Sequence, residues 1–260
     1  MAFLVTCEHG SPEIPDWLIE PMRDVSSSMV AVGTETDAHD SGAIDAAKVL
    51  SRQLKCPMIA AKYSPAVVDV NVSKRHRNVL SPQSRQLPKK TRDRIFRDIH
   101  EPFRREVETV VDRGIRKYGL LIHLSVHSFA TFERPELVES SDRAATAKRT
   151  DLGLLYDPSR EYEVALCLDW YDELFHSMPM LRVRRNYPRR GVSESLIRSL
   201  RKKYAPDCYV GVELQLNRAW CGRDLPVRKK VFKGIPLSLL KILTRAVEIP
   251  PDVAQEQEAA

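Results

Sequence analysis

Residues 209–217, YVGVELQLN, alternate strictly, with Val210, Val212, Leu214 and Leu216 in one set and Gly211, Glu213, Gln215 and Asn217 in the other. A period of two sends these sets to opposite faces of a β-strand, so one face is apolar and the other carries chemistry. The design recurs along the chain. LLIHLSVHSF at 120–129 places His123, Ser125 and His127 on one face, and AFLVTC at 2–7 runs into Glu8-His9-Gly10. AVVDVN at 66–71 has the same look, with Asp69 and Asn71 on one face. All four stretches read as strands whose apolar runs end in polar tips.

Helical periodicity fills the intervals. AIDAAKVLSRQL at 43–54 gathers Ile44, Ala47, Val49 and Leu50 near one face, and from about Thr91 to Tyr118 the residues Ile95, Ile99, Phe103, Val107, Val110 and Ile115 recur at helical spacing. Pro102 is expected to kink or divide that second helix, because it lacks an amide proton. Strands alternating with helices predict an α/β fold with a largely parallel sheet. At 260 residues, 43% of them hydrophobic, the chain is long enough for one sizeable α/β domain, placed at residues 1–249. The polar tail PPDVAQEQEAA, 250–260, is expected to be disordered.

No stretch approaches the roughly 20 apolar residues that span a bilayer, and MAFLVTCEHGSPEIP has no basic start followed by an apolar run. A soluble, cytoplasmic protein is expected. The five cysteines are scattered without a CxxC pair, which argues for reduced thiols and against a cysteine zinc knuckle. The net charge of +6 comes from SKRHR at 73–77, KKTRDR at 89–94, RVRRNYPRR at 182–190 and RKK at 201–203. Such clusters form solvated faces, steer an acidic substrate or bind phosphate backbones. No nucleic-acid-binding signature accompanies them, which argues against the last use.

In open sheets of this class ligands gather beyond the carboxyl ends of the strands, where Glu8, His9, Asp69, Asn71, His127 and Glu213 fall. Each has a bland reading. His123, deeper in its strand, reads as a hydrogen-bonded structural residue, whereas His127 at the strand exit is equally suited to hold a metal. Glu213 on an apolar strand must be paired, exposed at a rim or tuned for proton transfer. Asp40, which follows Asp37 and His39 just before a helix, is a natural N-cap. Zinc hydrolases need three ligands from His, Asp and Glu, with a further carboxylate to take a proton from water, and the tips offer that inventory. Rival constellations are poorer: no GxSxG elbow and no phosphate-cradling glycine loop is present. Cys7 and His9, two residues apart at a strand end, make an awkward thiol and base.

Seven segments in order, CEHGSPEIP, HDSGA, VVDVN, HLSVHSF, DLGLLYDPSR, RRNYP and VGVELQLN, resemble the N-formylglutamate amidohydrolase-like family over about residues 5 to 220. The resemblance implies the phosphorylase/hydrolase-like three-layer sandwich shared with zinc carboxypeptidases, and zinc-assisted hydrolysis of a linear amide bond. It implies His9, Asp40 and His127 as zinc ligands, Glu8 as an alternative ligand, and Glu213 as general acid/base. An arginine, drawn from Arg75, Arg185 or Arg189, would hold a substrate carboxylate or stabilise the oxyanion. His123 becomes a partner that orients neighbouring groups.

The chain departs from the family pattern at two places. Where relatives read SR and then DxNR, it has Ser64-Pro65 and Asp69-Val70-Asn71-Val72, with Lys74, Arg75, His76 and Arg77 following. The departure bears on the substrate more than on hydrolysis, and leaves room for another N-acyl amino acid or a small peptide-like amide. Two other readings stand beside the enzyme: a relative that binds a small anion in a basic cleft without turnover, and a nucleic-acid-binding protein.

Overall fold

The computed structural model describes residues 1–25, 39–130, 150–221 and 225–248. Among these, six strands form one sheet: β1 (Ala2–Cys7), β2 (Met58–Ala60), β3 (Leu121–Phe129), β4 (Leu152–Leu155), β5 (Val183–Arg185) and β6 (Tyr209–Asn217). Their order is β2-β1-β3-β6-β4-β5. All neighbours run parallel except β4 and β6, which are antiparallel. The architecture is therefore the expected α/β sandwich around a mainly parallel mixed sheet. The central pair, β3 and β6, is buried along almost its whole length, as strands covered by helices on both faces must be.

The helices are α1 (Asp16–Asp24), α2 (Ala43–Leu54), α3 (Pro82–Gln86), α4 (Lys89–Ile95), α5 (Glu101–Tyr118), α6 (Glu161–Ser177), α7 (Leu196–Lys203), α8 (Arg218–Cys221) and α9 (Leu225–Glu248). α2, α6 and α9 cover the face made by Val5, Cys7, Ile122, Leu124, Val126 and the even-numbered residues of β6. Each large apolar side chain fully buried in this layer stabilises by about 1.5–3 kcal/mol relative to exposure. The opposite face packs on α1, α4, α5 and α7, where Leu4, Ile59, Leu121 and Tyr209 continue the apolar layer. Farther along the strands this second face turns polar, through Thr6, His123, Ser125, His127 and Glu213, all buried. The site is built on it.

Two local expectations are corrected. AVVDVN is not a strand: residues 66–71 form a turn-rich loop whose sheet-like pairing is a single bridge, Val68 to Leu80. Its alternating Val68, Val70 and Val72 insert into the helix-covered core, which produces the period of a half-buried strand without a neighbouring strand. The backbone polar groups are satisfied from α5 instead: Arg104 Nη1 donates to the carbonyls of Val70, Asn71 and Val72 at 3.0–3.3 Å. The long helix does not divide at Pro102. It widens into a π turn over Phe96–His100, where the Glu101 amide reaches the Phe96 carbonyl, and continues to Tyr118. The wider turn absorbs the hydrogen bond that Pro102 is unable to donate.

Several basic residues of the clusters lie on solvated faces: Lys74 pairs with Glu101, Arg94 and Arg97 with Asp98, and Lys203 with Glu108. Two do not: Arg201 is buried against Glu163, and Arg189 is half-buried against Glu213. Cys7, Cys56, Cys167 and Cys208 are free thiols. No helix among the described residues is long and apolar enough to cross a membrane. The tail 250–260 and Asp37 lie outside the described residues.

Candidate active site

β1 carries the chain to Glu8 and His9 at its carboxyl end, and β3, parallel beside it, brings His127 to the same edge. Asp40 joins them from the approach to α2, where its amide donates to the His9 carbonyl at 2.8 Å. It is not the N-cap. Gly42 takes that position in a left-handed conformation (φ 77°) and no side chain caps the helix, so the Asp40 carboxylate is free for other contacts. His9, Asp40 and His127 each present a ligand atom, and these three atoms lie within 4.8 Å of one another.

The two imidazoles are held by their far nitrogens. His9 Nε2 lies 2.7 Å from Asp69 Oδ1, and His127 Nε2 lies 3.0 Å from Ser125 Oγ. The Nδ1 atoms face Asp40, at 3.6 Å for His9 and 2.7 Å for His127. Asp69 sits on the corrected loop, where the Asn71 amide donates to its Oδ1 and the Asn71 side chain accepts from the Leu196 amide. The loop thus delivers a carboxylate that a strand was expected to carry. Burial works against a charge on His9, but Asp69 and Asp40 outweigh it and hold the imidazole well above its ordinary range. Asp40 is correspondingly held far below the usual carboxylate range: burial opposes this, and the hydrogen bonds from His127 and His9 prevail.

Glu8 does not join the three. Its two oxygens accept from the Thr6 and Ser125 hydroxyls, at 2.6 and 2.8 Å, one layer inside the cleft. His123 lies deeper still, between Thr6 and Tyr209. Burial pushes its pKa down to about 4, so the folded protein keeps it neutral. An unfolded chain protonates the same residue near pH 6.5, so this contribution to stability is whole above about pH 6.5 and is lost as the pH falls toward 4. Relative to His123→Gln, wild-type unfolding free energy is expected to fall by a few kcal/mol between pH 7.5 and pH 4.5. Urea titrations of both chains at the two pH values check this, and an unchanged difference refutes a neutral buried His123.

The cleft beside the three groups holds about 420 Å³, and its lining also includes Asn71, His76, Ser128, Arg189, Glu194 and Gln215. Of the three candidate arginines, Arg189 reaches it. Arg75 is exposed and absent from the lining, and Arg185 is exposed on β5, its guanidinium 5.6 Å from the ring centre of Tyr171. Arg189 donates to Glu213 Oε2, while Oε1 of that fully buried glutamate has no hydrogen-bond partner among the described residues. The loop bearing Arg189 is pinned: Asn186 Oδ1 accepts from the amides of Tyr156 and Gly191, and a Cβ on Gly191 would stand 2.3 Å from the Tyr156 carbonyl oxygen. Among the described lining residues Arg189 is the one arginine or lysine, beside the carboxylates Asp40, Asp69 and Glu194. A uniformly basic cleft is therefore not what these residues form.

Ser125, beside His127, and Glu194, in the lining, are site residues without an expected role, and Asp69, expected at the ligand edge, gains His9 as its partner. A polar residue on the buried face of a strand was the available signal for Ser125. For Asp69 the signal was its position two residues before Asn71 in a polar tip.

Two solved structures share the fold. A protein from Agrobacterium tumefaciens superposes with a TM-score of 0.70 at 18% identity, covering 94% of this chain and 90% of that one. The N-formylglutamate amidohydrolase from Ralstonia eutropha superposes with a TM-score of 0.66 at 14% identity, covering 92% of each chain. No curated protein matches the chain in sequence. The family model for N-formylglutamate amidohydrolase matches residues 1–219, a span that contains His9, Asp40, Asp69, His127, Arg189 and Glu213. By that match the chain belongs to the N-formylglutamate amidohydrolase family.

Proposed function

We propose that the chain is a zinc-dependent amidohydrolase that cleaves the amide of a small N-acylated or acidic amino-acid substrate in the cytoplasm. The observation that carries this reading is the convergence of His9, Asp40 and His127. Their chemistry fits zinc: two imidazole nitrogens and a carboxylate oxygen make a three-ligand set that leaves a position open. The far nitrogens of both imidazoles already have oxygen partners, Asp69 and Ser125, in the manner of oriented metal-ligating histidines. When bound, the dication supplies Lewis-acid polarisation of a carbonyl and makes water more acidic.

The chain's own residues do the rest. Glu213 takes the proton of the attacking water on its unpartnered Oε1, and returns it to the leaving amine. Arg189, at the cleft wall, meets the substrate's carboxylate or the developing oxyanion, a role that Arg75 and Arg185 are too far out to fill. Free thiols fit a reducing compartment.

The test joins two measurements on the purified, zinc-supplied chain. Elemental mass spectrometry is expected to find about one zinc per chain, and a panel of N-formyl, N-acetyl and longer N-acyl amino acids is expected to contain at least one hydrolysed member. A chain that takes up no zinc removes the metal reading. Stoichiometric zinc with an inert panel removes the catalytic reading and leaves a metal-bearing binding protein.

A further inference from the structure

The polar face of β3 carries more than one imidazole needs. Tyr209 Oη lies 2.7 Å from His123 Nδ1, His123 Nε2 lies 2.7 Å from Thr6 Oγ1, and the Thr6 hydroxyl donates to Glu8 Oε1 at 2.6 Å. From the other side, the Ser125 hydroxyl donates to Glu8 Oε2 at 2.8 Å and Ser125 Oγ lies 3.0 Å from His127 Nε2. The six side chains belong to residues no more than 3% exposed, so water does not supply substitute partners.

Counting protons sets the direction of every link. Thr6 and Ser125 have one hydroxyl proton each, and each gives it to Glu8. Both oxygens then accept from the neighbouring imidazole, which places a proton on Nε2 of His123 and of His127; around the latter, Ser125 Oγ at 3.0 Å and Glu8 Oε2 at 3.4 Å stand closer than the Asn71 amide nitrogen at 3.5 Å. His123 Nδ1 is left to accept from the Tyr209 phenol. Without a metal, His127 Nδ1 also gives a proton to Asp40 Oδ2 at 2.7 Å, the bond whose place a bound cation would take. Glu8 is the point where both chains end, one from Tyr209 and one from His127.

We propose that Glu8 is a positioning residue: acting through Ser125, it keeps the proton of His127 on Nε2 and presents Nδ1 to the cleft as a metal ligand. Thr6, His123 and Tyr209 brace Glu8 from behind. This inference rests on the reading of His127 as a zinc ligand and adds what prepares it. It also accounts for the buried face of β3, where an apolar residue at 123 or 125 would pack more cheaply than a polar one that must be satisfied.

The test measures zinc dissociation constants of the full chain by chelator competition, together with ring-nitrogen NMR spectra of His123 and His127. Ser125→Ala and Glu8→Gln are each expected to weaken zinc binding about 10- to 100-fold. Tyr209→Phe, at the far end, is expected to weaken it less, and Ser125→Thr, which keeps the hydroxyl, to restore it. In the wild type the spectra are expected to show Nε2 protonated on both rings. Unchanged zinc affinity in Ser125→Ala and Glu8→Gln, alongside lowered thermal midpoints, overturns the proposal and makes the network structural only. A His123 proton on Nδ1 overturns it too, because the chain then runs the other way. If the wild type takes up no zinc, the metal reading fails separately, and the His127 ring decides: a proton that leaves Nε2 in Ser125→Ala supports the positioning role, and a ring indifferent to both substitutions overturns it.

Discussion

Replacing His127 by alanine is expected to strip zinc from the chain and to lower amide hydrolysis by about a thousandfold, the rate equivalent of several kcal/mol of lost transition-state stabilisation. His127 is buried on β3, so its loss leaves a void lined by Asp40 Oδ2, Ser125 Oγ and the edge of the His9 ring, whose centre is 5.0 Å from that of His127. The two oxygens offer no nitrogen, and His9 is already one of the three converging groups. Glu213→Gln makes the informative contrast. The amide keeps the shape of the side chain and lies outside the three converging groups, so zinc content is expected to stay at the wild-type level while turnover falls by about 100- to 10,000-fold, the usual contribution of a general base. The pair of variants separates ligand from base by metal analysis and a rate assay. Wild-type zinc in His127→Ala contradicts the ligand assignment, and wild-type turnover in Glu213→Gln contradicts the base.

Replacing Glu163 by glutamine is expected to cost about 3–5 kcal/mol of stability, the usual penalty for removing one partner of a buried ion pair. Glu163 is fully buried on α6 and receives Arg201 Nε at 2.9 Å, the Gly211 amide at 3.1 Å and the Asp157 amide at 2.8 Å. Arg160 Nε stands 3.2 Å from its Oε1. The two guanidiniums reach onward to backbone carbonyls, Arg201 to Gly191 and Gly211 and Arg160 to Tyr204 and Tyr209. With the carboxylate gone, two cations remain in a place water does not reach. Gly191 lies two residues beyond Arg189 and Gly211 two before Glu213, so the same cluster steadies the segments that bear Arg189 and the Glu213 it donates to. Urea unfolding gives the magnitude, and a loss under about 1 kcal/mol would mean that the arginines find other partners. The Glu163→Leu, Arg201→Met double variant, which removes both charges, is expected to recover part of the loss.

How much was legible depended on how local each signal was. β3 and β6 announced themselves by nine residues in which alternation survives as a pattern, and β1 by a six-residue apolar run that stops at a polar tip. β2, β4 and β5 are three or four residues long, too short for a period to register, and went unseen. The loop at 66–71 misled for the converse reason, since valines dipping into a helix-covered core imitate a strand.

For the site, residue types and strand tips were readable from alternation, and the family resemblance picked His9, Asp40 and His127 out of them. Their meeting was not readable. His127 and Asp40 are 87 positions apart, His9 and Asp69 60, and Glu8 and Ser125 117; the parallel strands β1 and β3 set Glu8, His9, Ser125 and His127 side by side, and the approach to α2 and the loop at 66–71 bring Asp40 and Asp69 to them. The choice among arginines had no local signature at all: Arg75, Arg185 and Arg189 look alike in sequence, and only the turn pinned by Asn186 and Gly191 brings the third to Glu213. What the amino-acid order determined by itself was the long strands β1, β3 and β6 and the polar groups they carry, because side-chain period is a property of the chain alone. Which of those groups touch, and which nitrogen of each imidazole is left for a ligand, was decided by tertiary structure, because hydrogen-bond partners are chosen by distances of about 3 Å that only the packed sheet creates.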